Sequence, residues 1–179
     1  MGIDVAQGTG NDYSTISVIS KTTLQPVYHY RSNTVAPADF AEKVWEVYWE
    51  FNEPFTIIEA NGPGSLVIYR CREFGMRNMY KTKNGGDWNT RKENKLAIYD
   101  HVRSLLCDGH IHCLESTLWS ELRNTITNEG GAPKHPKGQC DDMVISFCLA
   151  QWGARLKPAP SLYEVREQLM QDFIMKTKA

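Results

Sequence analysis

The sequence predicts an α/β domain in which helices cover both faces of a mixed β-sheet. Two observations carry this prediction: three extended runs precede the first helical pattern, and strands and helices alternate after it. Such an alternation is typical of a sheet with helices packed on both sides. With 179 residues, 41% of them hydrophobic and 23% charged, the chain has the size and balance of one compact domain, 1–179.

The first part of the chain predicts a meander of three strands. We expect these strands at residues 1–8, 13–20 and 25–31. The Gly8–Asp12 segment is typical of a tight hairpin turn between the first two. Pro37 then begins an amphipathic helix with apolar residues at helical spacing: Phe40, Val44, Val47, Tyr48 and Phe51.

The middle of the chain predicts further strands and helices in alternation. The β-branched run 55–60 reads as a buried strand, and the turn after it leads into a helix that ends near Gly75. Residues 78–83 are a candidate strand. Thr90–Glu93 has the form of a capping box at the start of a helix that reaches about Cys107.

The last third predicts one more strand and three helices around a loop. We expect the strand at 110–114 and the helices at 116–126, from 141–142 to about 156, and from 161 onward. The segment 128–139 is rich in Gly, Pro and Lys and reads as a loop.

The composition excludes several classes of protein. No stretch approaches the ~18 apolar residues of a membrane span, and the N-terminus lacks a signal core, so we expect a cytoplasmic protein that is not secreted. The five cysteines contain no Cys-x-x-Cys pair and are expected to be reduced thiols. Nothing matches Gly-x-x-x-x-Gly-Lys-Ser/Thr, so no ATP site is expected.

Three carboxylates stand where side chains of a mixed sheet can converge: Asp4 in the first strand, Glu59 near the end of a buried strand, and Asp141 or Asp142 at a helix start. An isolated charge among apolar residues is costly. Mg²⁺ or Mn²⁺, which prefer oxygen ligands, would explain all three. The alternative is that Asp4 faces solvent, Glu59 pairs with an arginine and Asp141 caps its helix.

Five segments together resemble a known family. They are Gly2–Val5 with the Gly-x-Gly-x-Asp-Tyr turn after it, Ile-Ile-Glu-Ala-Asn around Glu59, Asp-Asp-Met-Val-Ile-Ser from Asp141, Trp88–Lys95 and Glu121–Arg123. Their order resembles the nuclease domain of the large terminase subunit of tailed bacteriophages, which belongs to the ribonuclease-H-like superfamily. The resemblance spans nearly the whole chain.

The resemblance implies a metal-dependent endonuclease that cleaves double-stranded, concatemeric viral DNA during genome packaging with two Mg²⁺ or Mn²⁺ ions. Its catalytic, metal-binding positions match Asp4, Glu59 and Asp142. Asp141 is auxiliary, because adjacent helical side chains are about 100° apart. Asp12 fits either an accessory metal ligand or an ordinary turn residue. Many relatives have a histidine directly before the Asp pair, where this chain has Cys140.

A basic stretch is predicted to hold DNA. The segment from Arg70 to Lys95 contains eight basic and three acidic residues, which gives it a net charge of +5. Together with His135 and its loop, these residues would neutralise backbone phosphates without reading sequence; the alternative is a solvated helix face. The candidate DNA-binding residues are Arg70, Arg72, Arg77, Lys81, Lys83, Arg91, Lys92, Lys134 and Lys137.

The resemblance also implies partners. In the full assembly these are the terminase ATPase domain, the small terminase subunit and the portal protein, whereas the isolated domain is expected to be a monomer. Met1 and Gly2 stand directly before the first strand, which suggests a C-terminal domain separated from its motor. Rival interpretations are a Holliday-junction resolvase or ribonuclease H of the same fold, and a non-catalytic docking module of a packaging motor.

Overall fold

Six strands and five helices make up the described part of the chain, which in this computed structural model comprises residues 1–112, 114–127, 133–136 and 140–159. The strands are β1 Gly2–Asp4, β2 Ser14–Ile19, β3 Pro26–Ser32, β4 Ile57–Ile58, β5 Ile126–Thr127 and β6 Pro133–Lys134. The helices are α1 Pro37–Glu50, α2 Gly64–Glu73, α3 Lys92–Cys107, α4 Ser116–Asn124 and α5 Asp142–Leu156. No helix in these ranges is long and apolar enough to cross a membrane.

Four strands form one mixed sheet in the order β3-β2-β1-β4. The pairs β1–β2 and β2–β3 are antiparallel, as the predicted meander requires, and β1–β4 is parallel. β5 and β6 form a separate two-stranded ribbon. The parallel pair brings the carboxyl ends of β1 and β4 to the same edge of the sheet.

Helices cover both faces of this sheet, as predicted. Buried side chains of α1 and α2, among them Phe40 and Val67, pack with Ile3, Ile16 and Ile58 on one face. On the other face, α3, α4 and α5 enclose a second core that includes Ile57 and Leu149. Since side chains alternate along a strand, residues 2, 4, 57 and 59 are directed toward α5.

A close approach between α5 and the sheet fixes the position of the helix. A Cβ atom on Gly2 would lie 2.1 Å from the Ser146 carbonyl oxygen, so only glycine leaves room for the helix there. Ser17 Oγ and Ser146 Oγ, both buried, form a 2.9 Å hydrogen bond across the same contact. The second and third turns of α5 therefore lie close against the beginning of β1.

Two elements of the middle region differ from the prediction. The 78–83 strand is reduced to a single bridge between Met79 and Thr56, because Thr82 already accepts a turn hydrogen bond from Gly85 N at 2.9 Å. The capping box is shifted by one residue from the predicted Thr90–Glu93: Arg91 is the N-cap, and Asn94 Oδ1 rather than the Glu93 side chain accepts from its amide at 2.6 Å.

Two predicted boundaries in the last third also shift. Residues 110–112 and 114 are irregular rather than a strand, since the Gln25 side chain binds the His110 carbonyl at 2.6 Å and the His112 amide at 3.2 Å. α4 ends at Asn124, two residues before the predicted end.

Several predicted features lie outside the described residues. These are the helix from residue 161, most of the 128–139 loop with Lys137, and Cys113. Four cysteines within the described ranges are free thiols, as predicted: Cys71, Cys107, Cys140 and Cys148.

Candidate metal centre

Asp4 and Glu59 occupy the ends of two neighbouring parallel strands. Ile3 pairs with Ile58, and the Glu59 amide donates to the Ile3 carbonyl at 3.0 Å, which sets Asp4 and Glu59 side by side at one edge of the sheet. The negative charge of Glu59 acts on Asp4 across this edge. The strand register thus creates an acidic pair on the α5 face.

The environment of Asp4 disfavours its negative charge. Burial raises the pKa of the Asp4 carboxyl well above its usual range, and the charge and hydrogen bond of Glu59 raise it further, followed by the charges of Asp142 and Asp141. Four acidic side chains therefore share one electrostatic site.

Asp142 reaches this site from the first turn of α5. Its Oδ2 accepts a hydrogen bond from the Tyr13 amide at 3.0 Å, and its carbonyl accepts from Thr15 Oγ1 at 2.8 Å. Thr15 is the register partner of Asp4 on the neighbouring strand. Burial raises the pKa of Asp142 although the Tyr13 amide opposes this, and the charges of Asp141 and Asp12 raise it further.

The first turn of α5 is held by Glu121, a buried residue of α4. Glu121 Oε2 accepts from the amides of Met143 and Val144 at 3.1 and 3.4 Å, which satisfies two donors that a helix start leaves open. Arg31 Nη2 lies 3.3 Å from Oε1 of the same carboxyl group. Burial raises the pKa of Glu121, and Arg31 opposes that shift. Glu121 lies in one of the five segments that carry the family resemblance, but the sequence did not predict this role for it.

Asp141 points to a different set of partners than Asp142 does. Its Oδ2 accepts from Lys95 Nζ at 2.8 Å and from Tyr99 OH at 3.2 Å, and His135 Nδ1 lies 3.5 Å away. Burial alone would raise the pKa of Asp141, but the hydrogen bond and the charge of Lys95 outweigh it and lower the pKa. The two adjacent carboxylates therefore have different environments.

Replacement of Lys95 by methionine should raise the pKa of Asp141, because burial then acts without a neighbouring ammonium. A side-chain carboxyl titration by carbon-detected NMR measures this directly. Lys92→Met is the matched control, since Lys92 is exposed one turn away on α3. An Asp141 pKa that stays low in Lys95→Met would show that Tyr99 and His135 suffice to hold the charge.

Other residues around the cluster have defined places. Asn61, at the turn after β4, donates from Nδ2 to Glu59 Oε1 at 2.9 Å and to the Thr90 carbonyl at 3.1 Å, and so fixes the Glu59 side chain. Asp12 is exposed and acts on Asp142 through its charge. The His135 side chain is only 3% exposed, and its Nε2 lies 2.7 Å from the Glu121 carbonyl, so it faces the protein interior rather than DNA.

Seven candidate DNA-binding residues are partly or fully exposed, and two of them form ion pairs. Arg70 pairs with Glu73 at 3.2 Å, and Arg72 pairs with Asp87. Five more are exposed: Arg77, Lys81, Lys83, Arg91 and Lys92. Lys134 belongs to β6, and its side chain is outside the description. A role in DNA binding stays a prediction for all of them.

The donors of this site fit a hard divalent cation in their chemistry. Asp4, Glu59 and Asp142 offer only carboxylate oxygens, and a cation would offset the crowding that raises the pKa of Asp4. Within the described ranges, however, no three acidic, histidine or cysteine side chains are arranged so that they could hold an ion. Glu59 binds the Asn61 side chain, and Asp142 binds the Tyr13 amide.

Solved structures share this arrangement of strands and helices. The large terminase nuclease of the thermophilic phage G20c, with bound cobalt, superposes with a TM-score of 0.71 at 19% identity, covering 84% of this chain and 78% of that one. The chain has the fold of large terminase nucleases. The nuclease domain of Thermus phage P74-26 gives a TM-score of 0.65 at 19% identity, with 83% and 75% covered. This ribonuclease-H-like fold is the one predicted from the motifs.

A third similar structure is more distant. The nuclease domain of the large terminase of bacteriophage SPP1, with bound Mn, gives a TM-score of 0.50 at 17% identity and covers 83% of this chain and 82% of that one. The G20c nuclease also has structures with bound magnesium and zinc. No protein-family model and no curated protein matches the chain.

Proposed function

We propose that this chain is a metal-dependent endonuclease that cleaves double-stranded DNA with little sequence specificity. The observation that carries the proposal is that Asp4 and Glu59 follow each other across neighbouring parallel strands at one edge of the sheet, where burial and the charges of Glu59 and Asp142 disfavour the charge of Asp4. A site that concentrates carboxylates at such a cost is well suited to hold cations.

In this proposal, Asp4, Glu59 and Asp142 would hold two Mg²⁺ or Mn²⁺ ions. When bound, such ions activate a water molecule and stabilise the leaving oxygen of a phosphodiester. Asn61 orients Glu59 through its 2.9 Å hydrogen bond, and the Tyr13 amide orients Asp142 through its 3.0 Å hydrogen bond. No covalent nucleophile of the protein is needed.

Two further residues have auxiliary roles in this mechanism. Lys95 holds the Asp141 carboxylate to one side of the cluster, so Asp142 is the proposed ligand of the two. Asp12, which is exposed beside Asp142, is an accessory ligand at most. The exposed basic residues from Arg77 to Lys92 would contact backbone phosphates.

The similar structures support the class of cofactor and the biological setting. The nucleases of G20c and SPP1 have been solved with divalent metals. By analogy, the substrate is concatemeric viral DNA in the cytoplasm of an infected bacterium, and the chain is one nuclease domain, 1–179, of a longer terminase. Its partners would be the ATPase domain, the small terminase subunit and the portal protein.

The test is the nicking and linearisation of supercoiled plasmid with Mg²⁺, Mn²⁺, Ca²⁺ or EDTA. Wild type should cut with Mg²⁺ or Mn²⁺ and not with EDTA, and Asp142→Asn should not cut with any of them. Four-way junctions and RNA–DNA hybrids, assayed in parallel, separate a resolvase or a ribonuclease H from the proposed activity. A folded wild type that cuts nothing with any metal would instead favour the docking module.

A further inference from the structure

We infer that Arg31 and Tyr13 form a subsite for a backbone phosphate of the DNA strand, next to the acidic cluster. This inference rests on the proposed function and assigns it a binding group outside the predicted basic stretch. The two residues line a cavity of about 290 Å³ whose other wall is polar and belongs largely to α4, with Thr117, Ser120 and Asn124.

The Arg31 guanidinium is placed to bind an anion. It lies 3.5 Å from the centroid of the Tyr13 ring, so stacking fixes its plane. Its neighbouring carboxylate oxygen, Glu121 Oε1, lies 3.3 Å from Nη2 but accepts no hydrogen bond within the described part of the chain. A guanidinium has five N–H donors in a planar fork that matches a phosphate, and its side chain here is 30% exposed.

The negative charge of Glu121 does not cancel Arg31 completely. Glu121 Oε2 is already bound to the amides of Met143 and Val144, so its charge is shared between the start of α5 and the guanidinium. The oxygens of a phosphate can accept hydrogen bonds from the guanidinium N–H groups of Arg31 that do not bind Glu121 Oε1. Because the Arg31–Glu121 ion pair includes no hydrogen bond to Glu121 Oε1, Arg31 can bind a second anion on its exposed side.

The position of the cavity links it to the acidic cluster. Tyr13, whose ring supports Arg31, also donates its amide to Asp142 Oδ2 at 3.0 Å. The charge of Arg31 acts on Asp142 and lowers its pKa against the larger effect of burial. A strand with its scissile phosphate at the cluster would thus present a neighbouring phosphate to Arg31.

Arg31→Met tests the subsite by duplex binding. The affinity for a short labelled DNA duplex is measured by fluorescence anisotropy over a series of KCl concentrations in Ca²⁺, with gels to confirm that the duplex stays intact. Loss of one phosphate contact should weaken binding several-fold at low salt and reduce the slope of log K against log salt by about 1. Mn²⁺ should still raise the melting temperature of this variant, which shows that the variant is folded and retains the metal centre.

Arg155→Met is the matched control. Arg155 is also stacked on an aromatic ring, Trp152, at 4.7 Å, but it lies near the other end of α5, roughly 20 Å along the helix from Asp142. Its removal takes away the same charge and should leave the salt slope unchanged. An equal loss of slope in both variants would overturn the subsite, because the effect would then follow net charge alone.

Arg31→Lys keeps the inference testable if Arg31→Met does not fold. Lysine keeps the charge beside Glu121 but lacks the fork, so binding should weaken while the salt slope stays near that of wild type. Wild-type affinity and slope in every folded Arg31 variant would mean that Arg31 serves only as the counter-ion of Glu121. If wild type itself neither binds the duplex nor cuts plasmid with metal, the proposed function fails, and the subsite fails with it.

Discussion

Asp4→Asn is expected to abolish metal-dependent cleavage and to raise the unfolding temperature of the metal-free protein. Asparagine has nearly the same shape as aspartate but carries no charge, so the repulsion from Glu59 and Asp142 disappears together with the cost of burying a carboxylate. A gain of roughly 1 kcal/mol would raise the melting temperature by about 2–4 °C for a domain of this size. Cleavage should fall by roughly 10³-fold or more, since a metal supplies several kcal/mol of transition-state stabilisation.

The same variant should lose the stabilisation that metal gives to wild type. A ligand at a hundred times its dissociation constant stabilises the folded state by about 2.7 kcal/mol, so Mn²⁺ should raise the wild-type melting temperature clearly. Thermal unfolding with MnCl₂ and with EDTA measures both effects. Asp100→Asn, at an exposed position of α3, is the matched control and should behave as wild type. If Mn²⁺ stabilised Asp4→Asn as much as wild type, Asp4 would not be a metal ligand.

The order of strands and helices was predictable because it depends on local patterns. The run of β-branched residues before Glu59 and the apolar spacing after Pro37 are visible in any window of the sequence. The predictions fail where a side chain from a distant part of the sequence binds the backbone and determines its conformation. Gln25 satisfies the backbone of His110 and His112 from 85 and 87 positions away, and no periodicity reveals such a contact.

The candidate site follows the same division between local and distant information. Asp4 and Glu59 could be chosen because each is a carboxylate flanked by apolar residues in a predicted strand, which is a local property. From the sequence, Asp142 could be ranked before Asp141 only by the rotation between adjacent helical residues. In the structure the two differ because Lys95, 46 positions from Asp141, binds the Asp141 carboxylate. Glu121 left one usable signal in the sequence: an acidic residue three positions after Leu118 on the same helix face.

Gly64→Ala is expected to be strongly destabilising and to reduce cleavage without changing any acidic residue. A Cβ atom at this first position of α2 would lie 1.7 Å from the Glu59 carbonyl oxygen, a backbone atom that no side-chain rotation can move away. The helix or the end of β4 must therefore move, at a cost of about 1–3 kcal/mol or more. That movement displaces the Glu59 side chain from Asp4, so metal affinity should fall as well.

Gly153→Ala is the control that separates the effect of this close contact from the general effect of replacing a helical glycine by alanine. The three atoms nearest to a Cβ atom there are side-chain carbon atoms of Phe55 and Ile57, at 3.5 to 3.8 Å, which is ordinary van der Waals contact. Alanine favours a helix over glycine by roughly 0.8–1 kcal/mol, so this variant should melt at or above the wild-type temperature and keep its Mn²⁺ response. Thermal unfolding measures the stability of the two variants, and plasmid cleavage measures their activity. If Gly64→Ala melts and cuts as Gly153→Ala does, the contact between α2 and β4 yields without moving Glu59, and the position of that carboxylate depends on Asn61 instead.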